Sequence, residues 1–392
     1  MGSESIVSIE AVAPLVFIIA LLCTPPGMGG GTLFVPVLHI IGMLSARDAA
    51  ATSQVLVASA TLAKVLSSVY IQLHGNSSVE SIINLPYAVL MLPPMVVGGL
   101  LGVYLYTWLP EIFQLVLYVF TAILASCMGF KKGIGLWKSE TEGASSAGQL
   151  GVVPPPCVTE DTVLPSVTSR ARSISLSLKY KKAILITTLL AVWIAVILSR
   201  LLLGSSSTPS IIGIPYCTGL YWALSVIVCI MLMAVPGLFV VAIKSAAMLK
   251  LAVKLSGAML CIGFIAALVG QGGGSLITPL LLYMELNPQQ AAATGSVVML
   301  ITSSSLALSF GLGGFLPAAS DMWIAVLPFF GALLGDLLLS RLLLWSRRLS
   351  FLALLLAALA MTGAMVIFTT GIVNVISQYR RGESPLSFGT LC

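Results

Sequence analysis

Gly27-Met28-Gly29-Gly30-Gly31-Thr32-Leu33-Phe34-Val35-Pro36-Val37-Leu38 and Gly270-Gln271-Gly272-Gly273-Gly274-Ser275-Leu276-Ile277-Thr278-Pro279-Leu280-Leu281 are two versions of one motif, each set in an apolar run. A glycine inside a helix costs about 1 kcal/mol relative to alanine. Three in a row, with a fourth two residues earlier, therefore interrupt the helix. Pro36 and Pro279 suit the first turn of a new helix, where a missing N–H does no harm, and Thr32, Ser275 and Thr278 are candidate caps. Such a break leaves free backbone N–H groups and the positive end of a helix dipole in the middle of an apolar segment, which suits an anion. The competing explanation is close helix packing around small residues.

Two further matches follow in the same order. Ala51-Thr52-Ser53 pairs with Ala293-Thr294-Gly295 after a one-residue slip, and Gly98-Gly99-Leu100-Leu101-Gly102 pairs with Gly331-Ala332-Leu333-Leu334-Gly335. The glycine pairs read as small-xxx-small packing surfaces. Three ordered matches imply a duplicated unit, about 9–130 and 254–376.

The solvent for this unit is lipid. Of 392 residues 58% are hydrophobic and 8% charged, against about 25% charged in an ordinary soluble protein. That excludes a soluble enzyme, a disordered chain and a nucleic-acid-binding domain. No charge lies between Glu10 and Arg47, Arg200 and Lys244, Lys254 and Glu285, or Arg348 and Arg380, and roughly 20 apolar residues span a bilayer as a helix. Helices are the expected spanning form, because lipid gives backbone groups no partner. The first apolar run has no Lys or Arg before it and is expected to be retained rather than cleaved.

The expected fold is an all-α polytopic membrane protein. It comprises an N-terminal membrane repeat (1–130), a cytoplasmic, largely disordered polar connection (131–182), two inserted helices (183–253), a C-terminal membrane repeat (254–376) and a tail (377–392). The connection is placed in the cytoplasm by its lysines and arginines, and its Ser, Pro, Gly and Thr content argues against fixed structure. The uncharged stretch 204–218 then lies outside, and Lys244, Lys250, Lys254, Arg347 and Arg348 lie inside. On this count the segment 254–288 starts and ends inside as a hairpin. Its arms, 255–269 and 276–286, are too short to cross about 30 Å at 1.5 Å per residue. The same count opens the first hairpin outward, so the two repeats are inverted, each beginning with a glycine-broken hairpin. Sugar on the Asn76-Ser77-Ser78 sequon, placed inside, would break this topology.

The candidate binding groups are Gly27, Gly29, Gly30, Gly31, Thr32, Thr52, Ser53, Gly270, Gln271, Gly272, Gly273, Gly274, Ser275 and Thr294. Uncharged hydroxyls and amides such as Gln54 can replace the hydration of an oxyanion. Thr302, Ser303, Ser304 and Ser305 share that chemistry, but each hydroxyl can equally bond a helix carbonyl. Lys64 and Asp336 are charges inside apolar segments and thus functional candidates: Lys64 to attract an anion, Asp336 to bind a coupling proton. Lys64 can also snorkel, and Asp336 can pair with Arg341. His39 and His74 stand alone and the seven cysteines form no CxxC pair, so no metal site or cofactor is expected.

At the glycine motifs with their Ala-Thr partners, the chain resembles the TauE/SafE sulfite exporter family, also called the 4-toluene sulfonate uptake permease family. The stretch Lys131-Lys132-Gly133-Ile134-Gly135-Leu136-Trp137-Lys138-Ser139-Glu140-Thr141 and the extra segments 183–203 and 219–243 resemble its plant-type branch. The resemblance implies a multi-pass carrier of sulfite, sulfonates or related anions, often in export, with the glycine segments and following Thr/Ser as the site. Gly295 departs from the pattern, standing where a serine would match Ser53.

The function expected is secondary transport of a small inorganic or organosulfur anion such as sulfite or a sulfonate by alternating access, with export implied by the family resemblance and a coupling proton or cation as a further partner. An anion channel using the same glycines, or a non-transporting membrane scaffold or receptor docking through 131–182, are the alternatives. An intramembrane enzyme is disfavoured. There is no HExxH, and Leu333-Leu334-Gly335-Asp336 lacks the first glycine of a GxGD pattern.

Overall fold

The structure is a computed structural model describing residues 3–74, 82–106, 108–150, 182–205, 208–243, 246–270, 272–284, 286–316, 319–346 and 350–380. These residues form helices and connecting turns, with no strand among them. The helices are α1 (Ser3–Cys23), α2 (Gly31–Ile40), α3 (Ala46–His74), α4 (Leu85–Tyr106), α5 (Glu111–Leu150), α6 (Lys182–Leu203), α7 (Gly219–Ile243), α8 (Ala246–Val269), α9 (Gly274–Tyr283), α10 (Pro288–Leu312), α11 (Val326–Ser346) and α12 (Ser350–Arg380). A short 3-10 helix, Ala319–Ala325, leads into α11. Among the described residues nine helices are long and apolar enough to cross a membrane. The chain is an integral, multi-pass membrane protein.

The two halves interlock. α4 packs along α8, and α11 packs along α1, so the fourth helix of each half leans on the hairpin of the other. The glycine pairs make this approach possible. A side chain at Gly98 or Gly102 would overlap the carbonyls of Leu260 and Phe264 on α8. One at Gly331 or Gly335 would overlap those of Phe17 and Leu21 on α1. Phe17 and Leu21 stand as far before Gly27 as Leu260 and Phe264 stand before Gly270, so the third sequence match is also a match of contacts. Close backbone approach of this kind replaces the hydrophobic drive that lipid removes. α5 packs on α12, while α3 and α10 pack on each other at the centre. The inserted helices α6 and α7 flank α4, and Trp193 of α6 donates to Ser304 of α10 at 3.0 Å.

Three expectations change. α8 has 24 residues, about 36 Å at the usual helical rise, so this arm is long enough to cross and only the second arm, α9, is short. Lys250 and Lys254 cut the apolar run but not the helix, and the repeat boundary expected at 254 falls inside α8. Second, α5 continues through residue 130 to Leu150. Its extension is held by tertiary contacts: Glu140 accepts from both the N–H and the hydroxyl of Ser350, at 3.1 and 2.6 Å, and so caps α12. Gly133 lies against Leu354. The rest of the polar connection, 151–181, lies outside the described residues, as does the Asn76 sequon.

The third change concerns how the half-helices begin. Neither Thr32, Ser275 nor Thr278 caps. The N-cap residues are Gly30 (φ 85°, ψ −5°) and Gly273 (φ 78°, ψ −10°), with no side-chain cap bond. A left-handed cap starts each helix early, so Pro36 and Pro279 sit at the sixth helical position rather than in the first turn. A proline there leaves the carbonyl four residues back without its N–H. At Thr32 that carbonyl takes the hydroxyl of Tyr118 instead.

Candidate functional site

The glycine breaks have the same backbone in both halves. Gly27, Gly29 and Gly30 have φ of 86°, 66° and 85°, and Gly270, Gly272 and Gly273 have 74°, 71° and 78°. An L side chain in this region costs roughly 1–2 kcal/mol. In the first loop the N–H groups of Leu33 and Phe34 both turn to the Gly30 carbonyl, and in the second those of Leu276 and Ile277 both turn to Gly273. Gly31 and Thr32, the first two residues of α2, find no acceptor for their N–H among the described residues. These amides form the positive end of a helix dipole, buried inside the protein.

Each loop sits on the other half of the molecule. A methyl at Gly27 would lie 2.7 Å from the Cα of Ala292 on α10, and one at Gly270 would lie 3.0 Å from the Cα of Ala50 on α3. Gly29 faces Met299, Val57 and Thr61, while Gly272 faces Val57 and Ser303. The loops also meet directly. A methyl at Gly274 would lie 2.7 Å from the Met28 carbonyl oxygen, and the Met299 thioether covers the same glycine. Met299 and Val57 stand near the middle of α10 and α3, so the breaks come together beside the midpoints of these two helices, with the two side chains filling the space between them.

The polar groups sort into two kinds. Ser53 donates to Ala50 and, at 2.6 Å, to the Gly270 carbonyl across the interface. Thr278 donates to the Gly27 carbonyl at 2.9 Å. Thr294 accepts the Asn84 N–H at 2.9 Å. Ser296, Thr302 and Ser305 bond carbonyls of their own helix, and Ser304 bonds Ile301 and Trp193. These hydroxyls hold structure together. By contrast Thr24, Thr32, Thr52, Gln54 and Ser303 are buried with side-chain N or O atoms that have no partner among the described residues. Gln54 is fully buried and lacks a partner at both ends of its amide. Orphaned buried polar groups are costly, on the order of 1–3 kcal/mol each, and such exceptions call for an explanation. Ser275 is the buried second residue of α9. Gln271 lies outside the described residues.

Lys64 and Asp336 come together, although 272 positions separate them. Lys64 Nζ on α3 donates to Asp336 Oδ1 on α11 at 2.7 Å, with both side chains mostly buried. Nothing in a single sequence marks a pairing at that distance. Met299 and Val57 are not candidates by residue type; their signal is the one-residue slip, since the register that aligns Thr52 with Thr294 aligns Val57 with Met299 and Thr61 with Ser303.

Residues 3–135 match the model of the family described as Sulfite exporter TauE/SafE. The chain is 24% identical over 388 residues to Sulfite exporter TauE/SafE family protein 5 of Arabidopsis thaliana, covering 94% of this chain and 84% of that protein. It is 25% identical to family protein 1 of the same plant (95% and 85% covered) and 25% identical to family protein 3 (93% and 79%). No solved structure matches the chain. The likeness first carried by two glycine motifs thus extends over nearly the whole length, and the chain is similar to the plant proteins of the TauE/SafE sulfite exporter family.

Proposed function

We propose that the protein is a secondary transporter that exports a small anion, sulfite or a sulfonate, by alternating access. The reading rests on one observation: two glycine-broken helices from opposite halves abut deep in the helix bundle, surrounded by buried uncharged polar groups that have no partner among the described residues. The names of the plant relatives point to the same class of cargo. An oxyanion entering between the loops would accept from the Gly31 and Thr32 amides and from the Thr52, Gln54 and Ser303 side chains, displacing Met299. Neutral donors fit a carrier, because a guest held by dipoles can leave again, whereas one held by a buried cation leaves reluctantly.

The two halves would be inverted repeats, with one hairpin and its partner helices rocking against the other. The paired contacts of Gly98 with Leu260 and Gly331 with Phe17 support such an arrangement. The Lys64–Asp336 pair joins α3 to α11, and protonation of Asp336 would release Lys64 and loosen that contact, so it is the proposed coupling group. The test is efflux of sulfite from proteoliposomes of the full chain under an imposed proton gradient. Saturable flux that the gradient accelerates is expected. No sulfite, sulfonate or sulfate flux under any gradient would overturn the reading.

A further inference from the structure

A second buried cation stands away from the glycine loops. Arg200 lies near the end of α6 and is only 8% exposed. Its Nη1 donates to the Tyr104 hydroxyl at 3.0 Å, near the end of α4. That hydroxyl lies 3.1 Å from the Tyr221 hydroxyl and 3.3 Å from the Ser225 hydroxyl, both at the start of α7. Trp222 and Tyr216 close the cluster, with ring centroids 4.9 Å from Tyr104 and 5.1 Å from Tyr221 respectively. None of these neighbours is a carboxylate. The Lys64–Asp336 ion pair lies on other helices, and Arg200 Nε is buried with no acceptor among the described residues.

A guanidinium cannot shed its proton in a protein. A buried charge without a counter-charge is expensive, and its cost falls when an anion arrives. The planar fork of N–H donors matches sulfur and phosphorus oxyanions, which it can bind through two oxygens at once. The surrounding rings exclude water and strengthen that attraction.

We propose that Arg200, with the hydroxyls of Tyr104, Tyr221 and Ser225, forms a second anion site that takes a sulfur or phosphorus oxyanion, either free in solution or as a lipid headgroup. It is built by the inserted helices and α4, and it does not depend on the glycine-loop reading. Trp222 is its reporter. The full chain in neutral detergent is titrated with inorganic sulfate, and separately placed in phosphatidylcholine nanodiscs with and without phosphatidylglycerol. The readout is the fluorescence change that Trp222→Phe removes.

A saturable change is expected with at least one probe. It should be weakened at least tenfold by Arg200→Gln, weakened about threefold by Arg200→Lys, and left unaltered by Thr52→Val. A response to sulfate assigns a free oxyanion, and a response to phosphatidylglycerol alone assigns a headgroup. Arg200→Lys keeps the charge and carries the comparison if Arg200→Gln does not fold. A folded wild-type protein that answers neither probe, or a response that both Arg200 variants retain in full, overturns the proposal.

Discussion

The two glycine loops share a backbone and differ in chemistry. Their left-handed angles agree, their first-turn amides bond in the same pattern, and each rests on an alanine of the opposite half. The side chains beside them do not follow that symmetry. On α3, Thr52 and Gln54 have no side-chain partners among the described residues; on α10, the corresponding Thr294 holds Asn84 and Ser296 bonds Ala292. At the third position Ser53 reaches across to the Gly270 carbonyl, while Gly295 leaves room that the Thr278 hydroxyl occupies on its way to the Gly27 carbonyl. The frame is symmetric in its backbone. The buried polar groups without a partner among the described residues come mainly from the first half.

The frame predicts equal damage at equivalent glycines. Gly27→Val and Gly270→Val each force a side chain into a left-handed backbone and against an alanine Cα. Together these cost about 3 kcal/mol or more. Thermal unfolding and size-exclusion profiles in detergent should show both variants failing alike, and a tolerated substitution on one side only would break the symmetry.

The Lys64–Asp336 pair is next in size. Removing one partner strands a buried charge, about 3–5 kcal/mol, whereas replacing both with apolar residues is often near neutral. Lys64→Met should therefore unfold well below the wild type, and Lys64→Met with Asp336→Leu should recover most of the loss. If the pair couples transport to protons, the double variant keeps its fold and loses gradient-driven acceleration.

Thr52→Val and Thr294→Val separate the two halves most sharply. Thr52 is buried and unpartnered, so its loss should leave the empty protein as stable or more so, while weakening anion-induced stabilisation about tenfold, the worth of one charge-assisted bond. Thr294→Val loses the Asn84 bond, costs about 1 kcal/mol, and should leave the anion effect within about twofold. A thermal-shift titration with sulfite reads both quantities at once. The smallest effect belongs to Gly295→Ala. The nearest atoms to the new methyl are at 3.4 Å, so the gain in helix propensity, up to about 1 kcal/mol, should appear as a modest rise in melting temperature.

Much of this was legible in the sequence, and for physical reasons. Long charge-free stretches announce membrane helices, and a triple glycine in such a stretch has no helical explanation. The packing of Gly98 and Gly331 was also readable, because spacing alone puts both glycines of each pair on one helix face. What could not be read depended on partners distant in the chain. Residues 139–150 look like linker, yet Glu140 lies in a helix anchored by the start of α12. Proline rules placed Pro36 in a first turn, but the left-handed Gly30 moved that turn back. Among the hydroxyls of α3 and α10 the sequence favours Thr52, Ser53 and Thr294, because they recur between the halves. Only the structure tells the satisfied ones from Thr52, Gln54 and Ser303.

The most direct measurement compares sulfite flux in proteoliposomes for two paired variants, Thr52→Val with Gln54→Leu and Thr294→Val with Ser296→Ala, each shown to be folded. The account predicts that the first pair loses at least tenfold in saturable flux while the second keeps more than half. Equal loss in both, or undiminished flux in the first, would contradict it.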